Sequence, residues 1–209
     1  GFAAPNLKDI QTNEHAAGGY VIEPTPGIYE NIIVLDFKSL YPSIIQTFKI
    51  DPYSLLMKDV DTIQTLNGYK FSASLHILPD FIDELMKLRD IAKKKKDTQL
   101  SQAIKILMNS FYGVMGSYGC RFYHPDLPRA ITGSGHKLLL GSKDYLENKG
   151  LKVVYGDTDS LFVMLNDISV DDGEAQGKKI VKELNSFWKN KLKKEFKVES
   201  YLELEFEKY

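Results

Sequence analysis

The residues with the most chemistry in them form a hexapeptide, Tyr155-Gly156-Asp157-Thr158-Asp159-Ser160. Apolar runs flank it, Leu151 to Val154 and Leu161 to Leu165. Short Val- and Leu-rich runs broken by Gly-Asp read as two strands joined by a tight turn. Two carboxylates therefore stand at the tip of a hairpin. Like charges about 4 Å apart repel by roughly 4 kcal/mol at an effective dielectric near 20. A tip that keeps them together usually does so for a cation, although an ordinary solvated turn uses the same residue types.

A third carboxylate changes the balance. Asp36 ends the apolar run Ile32-Ile33-Val34-Leu35, and Phe37-Lys38-Ser39-Leu40-Tyr41-Pro42-Ser43 follows. Pro42 fits the first turn of a helix, where its missing N–H would have no partner anyway. Asp36 is thus expected at a strand-to-helix junction, whose backbone N–H groups can face an anion. One carboxylate at a strand end and two on a hairpin tip can meet across a small sheet. Carboxylate oxygens are the hard ligands Mg²⁺ takes, alongside water and substrate phosphates.

Phosphate contacts are offered by a helical segment, Lys105 to Gly113. Lys105, Asn109 and Tyr112 fall at i, i+4 and i+7 and share a face. Leu100, Ala103, Ile104, Leu107, Met108 and Phe111 take the other, apolar side. A cation, an amide and a phenol in a row suit a triphosphate and a base. Lys and Asn are also common on any wet helix face. The preceding helix, from about Asp80 to Asp97, has Phe81, Leu85, Leu88 and Ala92 as its expected inner stripe. Arg89, Lys93 and Lys96 form a basic stripe beside it, so two successive helices expose basic residues.

The elements that position these groups follow from the patterning. Strands are expected near Tyr20 to Ile22, Ile32 to Asp36 and Tyr53 to Met57. Asp59 to Ser74, with Asn67-Gly68, reads as a loop or small hairpin. Helices follow at about Pro79 to Asp97, Leu100 to Met115 and Asp126 to Asn148, the last despite Gly133, Gly135 and Gly141. Gly150 suits the end of that helix. A further helix spans Gly173 to Phe196, with Ile180, Leu184, Phe187, Trp188 and Leu192 on one side. Tyr201 to Phe206 alternates Leu202, Leu204 and Phe206 against Glu203, Glu205 and Glu207, the pattern of a half-buried strand. With the two basic helices set aside as an insertion, the order strand, helix, strand, strand, helix, strand reads as an α+β, ferredoxin-like (split βαβ) fold. That arrangement places the first and third strands together and lets Asp36 meet the Asp157–Asp159 turn.

Bulk properties bound the function. The 209 residues can bury a real core, and the 43% hydrophobic fraction is ordinary. No run approaches the roughly 20 apolar residues of a membrane helix, and the first residues do not spell a secretion signal. The single cysteine, Cys120, can form no internal disulfide. A cytoplasmic location, with no membrane partner, is the expectation. The net charge of −1 argues against a uniformly basic nucleic-acid coat, but binding depends on where charges lie.

Three motifs carry a resemblance. Asp36-x-x-Ser-Leu-Tyr-Pro-Ser-Ile, Lys105-x-x-x-Asn-Ser-x-Tyr-Gly and Tyr155-Gly-Asp-Thr-Asp-Ser are similar to the three polymerase motifs of family B DNA polymerases, in the family's order. Gly18-Gly19-Tyr20-Val21 resembles the glycine motif upstream of the polymerase region, with Ala16 where the archaeal pattern has Tyr. The spelling there and at Leu35 to Ser39 is most similar to the family's bacterial branch. The resemblance covers nearly the whole chain. It implies a polymerase palm with an inserted two-helix fingers hairpin. The corresponding boundaries are a lead-in at 1–17, palm at 18–78, fingers at 79–116 and palm again at 117–209.

The resemblance further implies nucleotidyl transfer from a dNTP to a primer 3′-hydroxyl. Two Mg²⁺ ions about 3.5–4 Å apart would serve it, a mechanism for which polymerases are a standard example, with Mn²⁺ as an alternative. By resemblance Asp36 and Asp159 bind both metals, Phe37 adds its carbonyl, and Asp157 is more often a supporting group. Lys105 and Arg89 neutralise phosphate charge, and Lys93 and Asn109 belong to the same nucleotide site. Ser39 and Leu40 offer backbone N–H groups, and Tyr41 closes the space beneath the sugar. Tyr112, Gly113 and Thr158 face the nascent base pair. Glu205 and Glu207 match accessory acidic positions, although an exposed strand face explains them equally well. The implied partners are primer-template DNA, dNTP, the exonuclease, N-terminal and thumb domains of a longer polymerase, and a sliding clamp reached through a further C-terminal segment. Without those domains the chain is expected to be weakly active or inactive alone. The competing readings are another palm enzyme (a nucleotide cyclase or a reverse transcriptase), a non-catalytic palm-derived module, and a protein-primed polymerase of the same family.

Overall fold

The computed structural model describes residues 18–57, 61–165 and 170–209; the expected lead-in at 1–17 lies outside them. The described residues fall into two compact units, one built on Tyr41–Gly133 and the other on Gly19–Leu40 and Ser134–Tyr209.

The second unit holds the main sheet. Its strands are β1 (Val21–Ile22), β2 (Ile32–Phe37), β5 (Lys152–Asp157), β6 (Ser160–Met164) and β7 (Leu204–Lys208), in the order β1-β5-β6-β2-β7. Every neighbouring pair is antiparallel. The near-continuous apolar run of β2 belongs inside the sheet, paired on both edges by β6 and β7; Ile33, Val34, Leu35 and Phe37 are buried there. β7 alternates, with Leu204 buried and Glu205 and Glu207 exposed, as a strand with one wet face should. Helix α6 (Val170–Lys191) packs on β2 and β7, and its buried stripe includes Ile180, Leu184 and Trp188. The helix then loosens into a π-helical turn, Leu192–Phe196, closed by Lys197 at φ +57°.

Helix α5 (Asp126–Asn148) is closed off by Gly150 two residues on, whose φ of +81° suits only glycine well. The glycines within it weaken helix propensity but permit close packing. A Cβ on Gly141 would lie 2.7–2.8 Å from the ring of Trp188, whose Nε1 donates to Ser142 Oγ at 2.8 Å. The buried indole thus keeps its hydrogen bond because position 141 has no side chain.

The first unit contains α1 (Leu40–Phe48, which begins at the boundary), α2 (Pro52–Leu56), the hairpin β3 (Thr62–Gln64) and β4 (Lys70–Ser72), and the packed helix pair α3 (Leu78–Lys94) and α4 (Thr98–Met115). Ile44, Ile45, Phe48 and Ile50 are fully buried. Asp51, only 2% exposed, ties two helix starts together. Its Oδ1 accepts from Tyr53 N and Ser54 N at 2.7 and 2.9 Å, and its Oδ2 from Ile77 N and Leu78 N at 3.2 and 2.7 Å.

Five details differ from the sequence expectations. Tyr53 to Met57 is not a strand: Asp51 as N-cap and Pro52 at the first helical position make it the short helix α2. The inner stripe of α3 is Pro79, Ile82, Leu85 and Ala92, whereas Phe81 and Leu88 are 43% and 52% exposed. Two apolar stripes overlap in that helix and share Leu85 and Ala92, so periodicity alone does not separate them. On α4 the buried residues are Ile104, Met108 and Met115, while Leu100 and Leu107 stay exposed. The turn of the acidic hairpin is Thr158-Asp159, with Gly156 and Asp157 still inside β5, and β7 starts at Leu204 rather than Tyr201.

Candidate active site

The acidic site is assembled by strand register. Pairing of β2 with β6 sets Asp36 opposite Ser160, and Phe37 N–H donates to the Asp159 carbonyl at 2.9 Å. Ser160 Oγ lies 3.1 Å from Asp36 Oδ1 and 3.4 Å from Asp159 Oδ1, so the two carboxylates share one hydroxyl. On its other edge β2 pairs with β7 and brings Glu205 opposite Asp36.

This setting disfavours a negative charge on Asp36. Partial burial comes first, then the charges of Asp159, Glu207 and Glu205, and together they push its pKa up to about 6. The Ser160 hydroxyl works the other way and does not offset them. Lys38 Nζ instead reaches Glu203 at 2.8 Å and Glu205 at 3.3 Å. Chiefly through the Glu203 hydrogen bond, it is held above the usual lysine range.

Asp157 behaves differently from the other two. It is exposed, and its Oδ1 accepts from Thr158 Oγ1 at 2.9 Å. Among the described residues no three His, Cys, Asp or Glu side chains form a cluster able to hold a metal by themselves. The Asp36–Asp159 pair nevertheless has the donor set Mg²⁺ uses, since that ion commonly takes one or two carboxylates and completes its shell with water and substrate phosphates. The raised pKa of Asp36 is the electrostatic counterpart of that fit, because a cation beside the pair would relieve the repulsion.

Of the remaining expected residues, Ser39 is in the left-handed region at φ +46° and Leu40 begins α1. Non-glycine residues there are uncommon and are held by their surroundings. In the other unit, Arg89 and Lys93 lie on α3, and Lys105, Asn109, Tyr112 and Gly113 on α4. Lys93, Lys105 and Asn109 are exposed, and Arg89 is half-buried. Tyr41 and Tyr112 meet there, with ring centroids 4.5 Å apart and a 44° tilt. Burial holds the Tyr112 phenol above the usual tyrosine range. Pattern reading missed that ring pair, as it missed the Lys38 ion pairs and the stack of Tyr20 on His136 at 3.6 Å. None has a local signal, because the partners are remote in sequence.

Comparison with known proteins is consistent along the chain. The model of DNA polymerase family B matches residues 1–204. DNA polymerase II of Escherichia coli is 42% identical over 99% of this chain and 27% of its own length. A DNA polymerase of Thermococcus gorgonarius is 32% identical over 98% of this chain and 28% of its own length. A family B DNA polymerase structure from Pyrobaculum calidifontis superimposes with a TM-score of 0.66 at 25% identity, covering 98% of this chain and 26% of that one. The chain thus spans about a quarter of the length of these relatives. No described helix is long and apolar enough to cross a membrane. With a family match across nearly every residue and the acidic motif residues Asp36 and Asp159 brought together by strand register, the chain belongs to DNA polymerase family B.

Proposed function

We propose that this chain is the palm and fingers of a longer DNA polymerase and carries its nucleotidyl-transfer site. The observation that carries the reading is the convergence of Asp36 and Asp159 on one hydroxyl at the end of adjacent strands. The strand order β7-β2-β6-β5, with a helix following β2 and another following β6, supports a split βαβ palm. The α3–α4 helical pair supports a fingers hairpin. Fold alone would host many activities, so the residues decide.

Each side chain has a distinct task in this reading. Asp36 and Asp159 hold divalent cations, Mg²⁺ by preference, with the Phe37 carbonyl as a further ligand and Asp157 in support. When bound there, such ions act as Lewis acids on the attacking and leaving oxygens. Arg89, Lys93, Lys105 and Asn109 bind the triphosphate of the incoming dNTP, and fixed positive charge there favours a transition state with more negative charge on the leaving phosphates. Ser39 and Leu40 donate backbone N–H groups to phosphate oxygens. Tyr41, braced by Tyr112, excludes a ribose 2′-hydroxyl. Tyr112, Gly113 and Thr158 contact the nascent pair. Glu205 and Glu207 set the negative potential around Asp36. Primer-template DNA is the second substrate. The remaining polymerase domains and a sliding clamp are the protein partners, and the cytoplasm is the location.

Primer extension by the full-length protein tests the reading directly. Wild type should add dNTPs to a primer with Mg²⁺, and Asp159→Ala should lower the rate by about 100-fold or more, the scale of losing one preorganised electrostatic group. Binding of primer-template should survive that change. Full activity in Asp159→Ala would refute the assignment. No extension by wild type would favour a non-catalytic palm-derived module.

A further inference from the structure

Gly18 and Gly19 precede β1, whose residues Val21 and Ile22 pair with Asp157 and Gly156. The chain just before β1 therefore runs beside the turn that carries Asp159. Thr158, at the tip of that turn, has φ +49°. The left-handed region costs an L-residue with a side chain about 1–2 kcal/mol, and a β-branched one is especially unusual there. Something must hold it. Its N–H donates to the Tyr20 carbonyl at 2.8 Å, and its Oγ1 donates to Asp157 Oδ1 at 2.9 Å. Its side chain also rests against the bare Cα of Gly19. A Cβ at position 19 would overlap Thr158 Oγ1 and lie 2.8 Å from its Cγ2 and 3.0 Å from its Cβ. The Thr side chain is stiff at χ1 and cannot turn aside freely. A Cβ on Gly18, in contrast, would meet nothing within 4 Å.

We propose that Gly19 is a positioning residue: its missing side chain is the seat on which Thr158 rests, and that seat fixes the Asp159 carboxylate relative to Asp36. The functional part of this inference rests on the polymerase reading; the seat itself rests only on geometry. A methyl at 19 pushes the turn outward, and a displacement below 1 Å matters at a site where two carboxylates must act on one ion. Groups that orient metal ligands typically carry about 10–100-fold in metal affinity or activity.

The test uses the full-length protein with Gly19→Ala, Gly18→Ala, Thr158→Gly and the double variant Gly19→Ala/Thr158→Gly. Three quantities are measured: hydrogen exchange of the Asp157–Ser160 amides, Mn²⁺ affinity without DNA, and extension rate against Mg²⁺ concentration. Gly19→Ala should speed exchange at Thr158 and weaken Mn²⁺ binding by about 10-fold or more. It should raise the half-saturating Mg²⁺ concentration by a similar factor. Gly18→Ala should match wild type in all three. Thr158→Gly removes the clashing atoms, so the double variant should be no worse than Thr158→Gly alone. Equal effects of Gly18→Ala and Gly19→Ala, or losses that multiply in the double variant, would overturn the proposal. If wild type neither extends primers nor binds Mn²⁺, the polymerase reading falls, and the exchange data alone decide the seat.

Discussion

Ionised Asp36 should burden the fold, and removing its charge should stabilise it. Its pKa rises from 3.8 to about 6, a difference worth about 3 kcal/mol at full strength. The carboxyl is only about half-buried, so solvent screening reduces this to about 1 kcal/mol. The sign follows from linkage. A group whose folded pKa lies above its unfolded value favours folding most below the unfolded value. It loses that contribution as pH rises through the folded value. For Asp36 the window is pH 3.8 to about 6. Urea unfolding of the 209-residue chain in EDTA, wild type against Asp36→Asn, reads the effect. The variant should gain about 1 kcal/mol over wild type at pH 7.5, and the gain should vanish near pH 4. Adding Mn²⁺ at pH 7.5 should shrink the difference, because the cation restores a partner to the wild-type carboxylate. A variant less stable than wild type at pH 7.5, or a difference that does not change with pH, would refute the reasoning.

Three further outcomes follow from particular contacts. Asp51→Ala strands four backbone N–H groups at two helix starts and should cost about 1–4 kcal/mol, twice the usual loss of a cap; denaturant melts check this. Gly141→Ala drives a methyl into the Trp188 ring and should cost about 1–3 kcal/mol, as overpacking does; near-UV dichroism of the chain's single tryptophan should change with it. Tyr41→Ala in the full-length protein should raise the ratio of rNTP to dNTP incorporation, whereas a purely structural Tyr41 would lower the melting temperature and leave that ratio alone.

The parts of the fold that could be read from sequence are those in which one local pattern dominates. β2 is a continuous apolar run, β7 a strict alternation, and α5 keeps its helical period despite three glycines. The residues of α2 look like a strand in sequence, but a single cap, Asp51 with Pro52 after it, outweighs that look. The second task of Asp51, at the start of α3, depends on a fold contact that leaves no trace in spacing. In α3 two apolar faces overlap and share Leu85 and Ala92, and only packing selects Ile82 over Phe81. The meeting of Asp36 with Asp159 was legible because strand ends and hairpin tips announce themselves. The restraint of Thr158 by Gly19 was not, since a glycine before a strand has many uses and the close approach exists only after β1 pairs with β5.

A crystal structure of the full-length protein with primer-template, an incoming dNTP and Mg²⁺, on a primer lacking its 3′-hydroxyl, tests the central claim most directly. Asp36 and Asp159 should both coordinate Mg²⁺ at about 2.0–2.1 Å, with phosphate oxygens of the dNTP completing the shell. Mg²⁺ and triphosphate bound with neither carboxylate in contact would contradict it.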